Sequence, residues 1–462
     1  MEEFKPRMGI EVHAQLDTTT KLFCSCPVAF GEEPNTNVCP ICLGLPGVLP
    51  VLNKRAVELA MRVAFALNCH LHKESRFARK NYFYPDLPKG YQITQFKFPL
   101  ATSGSIKVDE KIIRIKRLHL EEEAAKLIHL GDKTFVDYNR AGVPLVEIVT
   151  EPDITSAVMA VDYLKKLQKI LQFTGASNAV MARGEFRCEP NISVSCEKGK
   201  LGTRTEIKNL NSFRAVKRAL KYEIKRQKKI LQEGGTIKQE TMRFVEKAGV
   251  TRSTRSKEEA SDYRYFPEPD LPPLLIKEEW MEKVKRSIPT LPEERKKRYI
   301  ELGLNEEDAI IIANSKKASN LFDETIQQLD EPLEISKWII REFRAHNEPN
   351  ISPTSLASLV KMVIQGSISR IIGSKVFSMM VRTGRTPEEI VKEKSLLKIS
   401  DKEALTSVVK EVFAENPEEF KDFQNGKSKL IRFFIGRVMK KTKGRANPKE
   451  VGRIISEYEQ KH

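Results

Sequence analysis

Two patterns in this chain could carry chemistry. In the first, Cys24-Ser-Cys26 is separated by twelve residues from Cys39-Pro-Ile-Cys42. Four thiols in two close pairs are how a chain closes a tetrahedral zinc site, and a site closed by four sulfurs is structural. Loops rich in Pro and Gly need such a staple; four small buried thiols that merely cluster are the alternative. The second pattern is strict alternation. As a strand, Gly9-Ile-Glu-Val-His-Ala-Gln-Leu16 turns Ile10, Val12, Ala14 and Leu16 inward and sets Glu11, His13 and Gln15 on the other face. The alternation recurs with Arg117, His119 and Glu121, with Glu147 inside Leu145-Val-Glu-Ile-Val149, with Glu189, Asn191 and Ser193, and with Arg204, Glu206 and Lys208. A lone carboxylate in a β-branched run needs a cation or hydrogen bonds, because desolvating its charge is expensive. Three Glu and one His on such a surface suit Mg²⁺, a hard ion that leaves positions open for phosphate, with nearby Arg and Lys to hold phosphoryl oxygens. Salt bridges across a solvated sheet are the plainer alternative.

Five strands with one polar face each imply a sheet with a working surface. From Met1 to about Lys277 the chain reads as mostly β, interrupted by two helices. One follows Thr155 and stops at Gly175, with Val161, Leu164, Leu167 and Leu171 on a stripe; the other begins near Ser212 and ends at Gly234-Gly235. The prolines of Pro267-Glu-Pro-Asp-Leu-Pro-Pro273 end this part, and from about Pro292 the pattern is helical. The expected domains are 1–290, 291–398 and a small basic tail, 399–462. With 79 Lys plus Arg against 62 Asp plus Glu, the 462 residues carry +17, and the pI near 9.4 favours a polyanionic partner. The stretch Arg79-Lys-Asn-Tyr-Phe-Tyr-Pro-Asp-Leu-Pro-Lys-Gly-Tyr-Gln92 interleaves cations with aromatics, a composition suited to unpaired bases, although such turns also simply pack. No GxxxxGK[ST], GxGxxG or HExxH occurs, so a P-loop NTPase, a dinucleotide fold and a zinc protease find no support. Seven cysteines are too sparse for a disulfide scaffold, and Cys69, Cys188 and Cys196 lack partners in the pattern. No apolar run approaches the roughly 18 residues of a membrane span, so a cytoplasmic protein is expected.

At these residues the chain resembles the GatB/GatE family of tRNA amidotransferase subunits, in its B branch. The matching stretches include GIEVHAQL, NVCPICLGLPGVLPVLN, RKNYFYPDLPKGYQI, LHLEEEAAK, VDYNRAGVPLVEIVTEPD, GTRTEIKNLNSF, SDYRYFPEPDLPPL and GRVMKKTKGRANP. The resemblance implies an α+β protein: a saddle-shaped antiparallel cradle, then a helical domain and a small helical tail that grips tRNA. It implies ATP-dependent phosphorylation of the side-chain carboxylate of Glu or Asp misacylated onto tRNA(Gln) or tRNA(Asn). Ammonia comes from an amidase A subunit, a small C subunit completes a heterotrimer, and the mischarging aminoacyl-tRNA synthetase is a further candidate partner. Carried over by motif, Glu11, His13, Glu121 and Glu147 are similar to the family's Mg²⁺ ligands, with Glu189 a candidate at a second ion. Arg204, Glu206 and Lys208 are candidates to contact ATP or the phosphoryl group, and Cys24, Cys26, Cys39 and Cys42 match its zinc-binding members. Glu189 stands where the family's RCDAN stretch has Asp, lengthening its reach by one methylene; Glu123 stands where Asp is usual and Thr254 where Met is. A non-catalytic, zinc-stapled RNA-binding subunit is the alternative reading.

Overall fold

The computed structural model describes residues 4–197, 199–256, 263–397, 402–425, 427–442 and 444–459. The expected boundary at 398/399, Ser261 and Asp262 of the SDYRYF stretch, and Lys443 of the basic tail lie outside the described residues. The chain forms two compact units, Met1–Leu291 and Pro292–His462.

In chain order the main elements of the first unit are β1 (Lys5–Gln15), α1 (Lys54–Ala66), β2 (His70–Leu71), β3 (Ala78–Asn81), β4 (Tyr91–Thr94), β5 (Ala101–Val108), β6 (Lys111–Glu122), β7 (Pro144–Thr150), α2 (Ala157–Phe173), β8 (Phe186–Ser195), β9 (Thr205–Lys208), α3 (Phe213–Gln232), β10 (Glu240–Val245), β11 (Val250–Ser256) and β12 (Phe266–Pro267). Nine strands make one sheet, ordered β11-β10-β9-β8-β1-β7-β6-β5-β2, and β12-β3-β4 make a small second sheet. The fold is α+β. Its large sheet is mixed rather than wholly antiparallel: β9 runs parallel to β10. Parallel neighbours need a crossover rather than a hairpin, and α3 supplies it.

Alternation decides which face of the sheet is covered. On β1, Ile10, Val12 and Ala14 are 0% exposed. They share one apolar cluster with Leu118 and Leu120 of β6, Val146 and Ile148 of β7, and side chains of α1, α2 and α3. Each such side chain contributes about 1.5–3 kcal/mol on burial, and a slip of one residue would turn them all to the other face, so the register is held strongly. The opposite face is left to the polar set. The two helices expected from caps form with Ser156 and Ser212 as N-caps, each accepting a bond from the backbone three residues on. A third, α1, breaks the mostly-β expectation. Lys54, Arg55, Glu58 and Arg62 recur at helical spacing opposite the buried Ala56, Ala60, Val63 and Ala64, so its amphipathic period is present in the sequence.

Inside α3, Glu223 is fully buried and ties the helix to the sheet. Its carboxylate accepts bonds from Arg226 at 2.7 and 2.9 Å, from Gln227 at 2.9 Å, from Thr205 at 3.1 Å and from Thr251 at 2.8 Å. Burial pushes the Glu223 carboxyl up, but the bonds from Arg226, Gln227 and Thr251 outweigh it and hold the group below its ordinary value. A depressed carboxylate contributes stability that is complete above its unfolded value of about 4.3 and is lost as pH falls through the folded one. Glu223→Gln should therefore cost about 2 kcal/mol at pH 7, because the half-buried Arg226 guanidinium keeps only its longer contact with Glu240 at 3.8 Å, and the gap to wild type should narrow below about pH 4. Denaturant unfolding at both pH values measures it; a gap that does not change with pH would contradict the assignment.

The second unit is helical in its described residues and holds two separate apolar cores, one from Tyr299 to Val391 and one from Leu405 to Ile455. Among the described residues, no helix is long and apolar enough to cross a membrane.

Candidate functional site

Register brings the polar residues of distant segments side by side. His13 of β1 pairs with Glu147 of β7, Glu147 pairs with His119 of β6, and Leu145 pairs with Glu121. On one face, His13, Glu147 and His119 therefore form a transverse row, with Glu121 in the next row. His13 Nε2 lies 3.2 Å from Glu121 Oε1 and 3.4 Å from Glu147 Oε2, and His119 Nε2 lies 3.2 Å from Glu147 Oε2. One ligand atom each from His13, Glu121 and Glu147 falls within 4.8 Å of the others. The cluster is sunk: Glu121 is 3% and Glu147 7% exposed. Thr94 of β4 donates to Glu121 at 3.2 Å, and Arg117 Nη2 lies 3.6 Å from Glu147.

These carboxylates stay ionised in a buried place. Burial pushes Glu121 and Glu147 up, but the imidazoles of His119 and His13 outweigh it and hold both below the usual range. Burial likewise pulls His13 and His119 down, and the facing glutamates raise both above the ordinary imidazole value. His119 Nδ1 is buried without a hydrogen-bond partner among the described residues.

Glu11 does not join this trio. It pairs across β8 with Glu189, and its Oε1 accepts from Asn191 Nδ2 at 3.0 Å. Burial, then the charges of Glu147, Glu189 and Glu206, raise its carboxyl above the ordinary value. An acid that resists ionisation among acids marks a place where added positive charge is favoured. Lys208 meets part of that need, with its Nζ 2.8 Å from Glu189 and 3.3 Å from Glu206. Arg204 sits just before β9 and is exposed. Beside the trio, Arg187 of β8 pairs with Glu123 at 2.5 Å. His119 had a sequence signal, the period of two it shares with Glu121. Thr94 had none, because β4 belongs to the second sheet and reaches Glu121 only through the tertiary fold.

Cys24, Cys26, Cys39 and Cys42 also converge, with sulfurs within 4.8 Å of one another. The Cys42 thiol is lowered to about 4 by a hydrogen bond from Cys24, against burial, with the Cys39 backbone and Lys21 assisting. Burial raises Cys26 to about 11. Lys21, fully buried, donates to Asn37 O at 2.8 Å and Tyr138 O at 3.3 Å, with Cys42 Sγ 3.6 Å away. Gly44 turns the loop with φ +68°, where a side chain would collide with Lys89, and Lys89 pairs with Glu122 beside Glu121. The cysteine loop is thus connected to the end of β6 that carries the site.

Residues 6–282 match the GatB/GatE catalytic domain. The chain belongs to the GatB/GatE family. Residues 320–458 match the GatB domain of the same family. The chain is 50% identical to the B subunit of the aspartyl/glutamyl-tRNA(Asn/Gln) amidotransferase of Persephonella marina, over 98% of this chain and 99% of that one. The protein of the same name from Thermoanaerobacter pseudethanolicus is also 50% identical, over 98% and 99%. Another from Brevibacillus brevis is 47% identical, over 99% of each. The trio of His13, Glu121 and Glu147 and the four cysteines all lie within the stretch that matches the family's catalytic domain.

Proposed function

We propose that this chain binds misacylated tRNA and uses ATP to phosphorylate the side-chain carboxylate of the attached Glu, Asp or both. It is the B subunit of a glutamine-dependent amidotransferase, a carbon–nitrogen ligase complex. The observation that carries the reading is the convergence of His13 with the buried Glu121 and Glu147 on the polar face of a family catalytic domain. In the reaction the substrate carboxylate oxygen forms a bond to the γ-phosphorus of ATP as the bond to ADP breaks. Ammonia released from glutamine by the amidase partner then attacks the acyl carbon, forming the C–N bond and expelling phosphate. Phosphate is the better leaving group, which is why ATP is needed. A heterotrimer with the A subunit and a small C subunit, in the cytoplasm, fits this division of labour.

The donor set fits a hard divalent ion: two carboxylates and an imidazole within reach of one point, an acid-rich neighbour in Glu11, and Glu189 for a second ion. Mg²⁺ held there by His13, Glu121, Glu147 and Glu11 would neutralise charge on the transferring phosphoryl. The chain's own residues prepare the place. His119 and Arg117 hold Glu147, Thr94 holds Glu121, and Lys208, with Glu206 beside it, offers a cation to phosphoryl oxygens, as Arg204 does from the other end of β9. Four sulfurs this close suit structural zinc, where tetrahedral bonds set them about 3.8 Å apart.

ATP hydrolysis by the chain with its amidase partner, with and without misacylated Glu-tRNA and Mg²⁺, tests the reading. Turnover that needs both, and falls in Glu11→Gln, is expected; tRNA binding without dependent turnover would leave the non-catalytic RNA binder instead. In the tail, Arg432, Arg437 and Lys440 are exposed opposite buried Phe434 and Val438. Deleting residues 400–462 should raise the KM for tRNA about tenfold, weaken the salt dependence of binding, and leave phosphoryl transfer in place. An unchanged KM would remove the tail from the tRNA interface.

A further inference from the structure

Five rings stand in a chain outside the apolar core of the first unit. Phe96 stacks on Tyr265 with centroids 4.1 Å apart and planes 5° from parallel. Tyr265 meets Tyr263 at 6.0 Å, Tyr263 meets Tyr82 at 6.2 Å, and Tyr82 stacks on Tyr84 at 5.7 Å. None of the five is among the side chains of the core cluster. Tyr84 is 49% and Phe96 40% exposed, and the neighbouring Phe83 and Phe98 are exposed as well. Aromatic surface left in water at this density marks an interaction site. Cations are interleaved with it: Lys80 Nζ lies 4.9 Å over the Tyr263 ring, and exposed Lys97 separates Phe96 from Phe98.

The ladder adjoins the trio. It is built on β3, β4 and the segment leading into β12, where Lys80 pairs with Gln92 and Ala78 with Thr94. Thr94 donates to Glu121, Gln92 donates to the Glu122 carbonyl at 2.8 Å, and the Lys80 ammonium is close enough to feel Glu121 and Glu147. If the proposed function holds, the carboxylate that reaches the trio is tethered through a short aminoacyl ester to the 3′-terminal ribose of the tRNA. The base on that ribose is unpaired and must come to rest a few bonds away. Unpaired bases stack on aromatic faces while neighbouring cations take up phosphate charge.

We infer that the ladder Tyr84, Tyr82, Tyr263, Tyr265 and Phe96, with Lys80, seats the unpaired 3′-terminal nucleotide of the aminoacyl-tRNA beside the trio. The inference rests on the proposed function, and binding rather than turnover tests it. Affinities of the full-length chain are measured for intact tRNA(Gln), for the same tRNA lacking its 3′-terminal nucleotide, and for a non-hydrolysable ATP analogue. Wild type should bind the intact tRNA about tenfold more tightly than the shortened one. In Phe96→Ala and in Tyr265→Leu, which keeps an apolar side chain, the two tRNAs should bind nearly alike, with affinity for the analogue unchanged. Equal affinities in wild type, or an undiminished ratio in both variants, overturn the inference. A loss confined to the ATP analogue also overturns it, by giving the ladder to the base of ATP. A wild-type chain that binds the tRNAs as inferred but shows no tRNA-dependent ATP turnover sinks the proposed function alone.

Discussion

Glu147→Gln is expected to lower ATP turnover dependent on misacylated tRNA by about a thousandfold, while tRNA affinity changes less than about twofold. The substitution keeps shape and removes one charge from the middle of the site. Glu147 is the shared partner of His13 at 3.4 Å, His119 at 3.2 Å and Arg117 at 3.6 Å. An amide in its place presents one donor face to groups that are themselves donors, and the cluster keeps a single carboxylate, Glu121. Two carboxylates and an imidazole can hold a divalent ion; one carboxylate and an imidazole in a buried pocket hold it far less well. Electrostatic stabilisation of transferring groups typically accounts for about 10²–10³ in rate per preorganised group, which sets the scale. Steady-state turnover, with circular dichroism to verify folding, measures it. Glu11→Gln should lose less, because its carboxylate stands a row away with Asn191. Near-wild-type turnover in Glu147→Gln would detach the trio from the chemistry altogether.

The cysteine cluster should give the largest structural effect. Purified protein is expected to carry one zinc per chain, and Cys42→Ser should lose it, cost about 3 kcal/mol or more, and make the loop from Cys24 to Cys42 sensitive to protease. The loop has little apolar packing of its own, since Phe30 is exposed and its one helical segment, Pro40–Leu43, has four residues; polar bonds from Asn35 and Asn37 to Asp137 and Asn139 also tie it. Buried Lys21 sets a compensating charge beside Cys42, as a four-thiolate site with net negative charge would require. Because Gly44, Lys89 and Glu122 link this loop to the end of β6, a secondary loss of turnover should accompany the loss of metal. Wild-type protein that contains no zinc, and melts at the same temperature with and without chelator, would reduce the cluster to four packed thiols.

Much of the site was legible before any coordinates. A period of two puts His13 beside Glu11 on one face of β1, and His119 beside Glu121 on one face of β6, because successive strand side chains point to opposite faces. The spacing of Cys24, Cys26, Cys39 and Cys42 likewise states a four-sulfur cluster. Thr155 and Gly175 bracket α2, and Ser212 and Gly234-Gly235 bracket α3, close to where they begin and end. What failed, failed for local reasons. The helix α1 carries a helical period, with Lys54, Arg55, Glu58 and Arg62 on one face, that the mostly-β expectation passed over, and the parallel pairing of β9 with β10 becomes visible only once α3 is seen to carry the chain across.

The sequence by itself determined the family, the faces of the strands, the cysteine cluster and the basic character of the tail, since each depends on residue type and short-range spacing. Tertiary structure alone decided that His13, Glu121 and Glu147 form the tight trio while Glu11 stands apart with Glu189. It also placed Thr94, Lys80 and the aromatic ladder beside that trio. The physical reason is register: which residue faces which across neighbouring strands is set by burying the apolar face of the whole sheet beneath α1, α2 and α3, a sum over contacts between segments far apart in the chain that no local pattern contains.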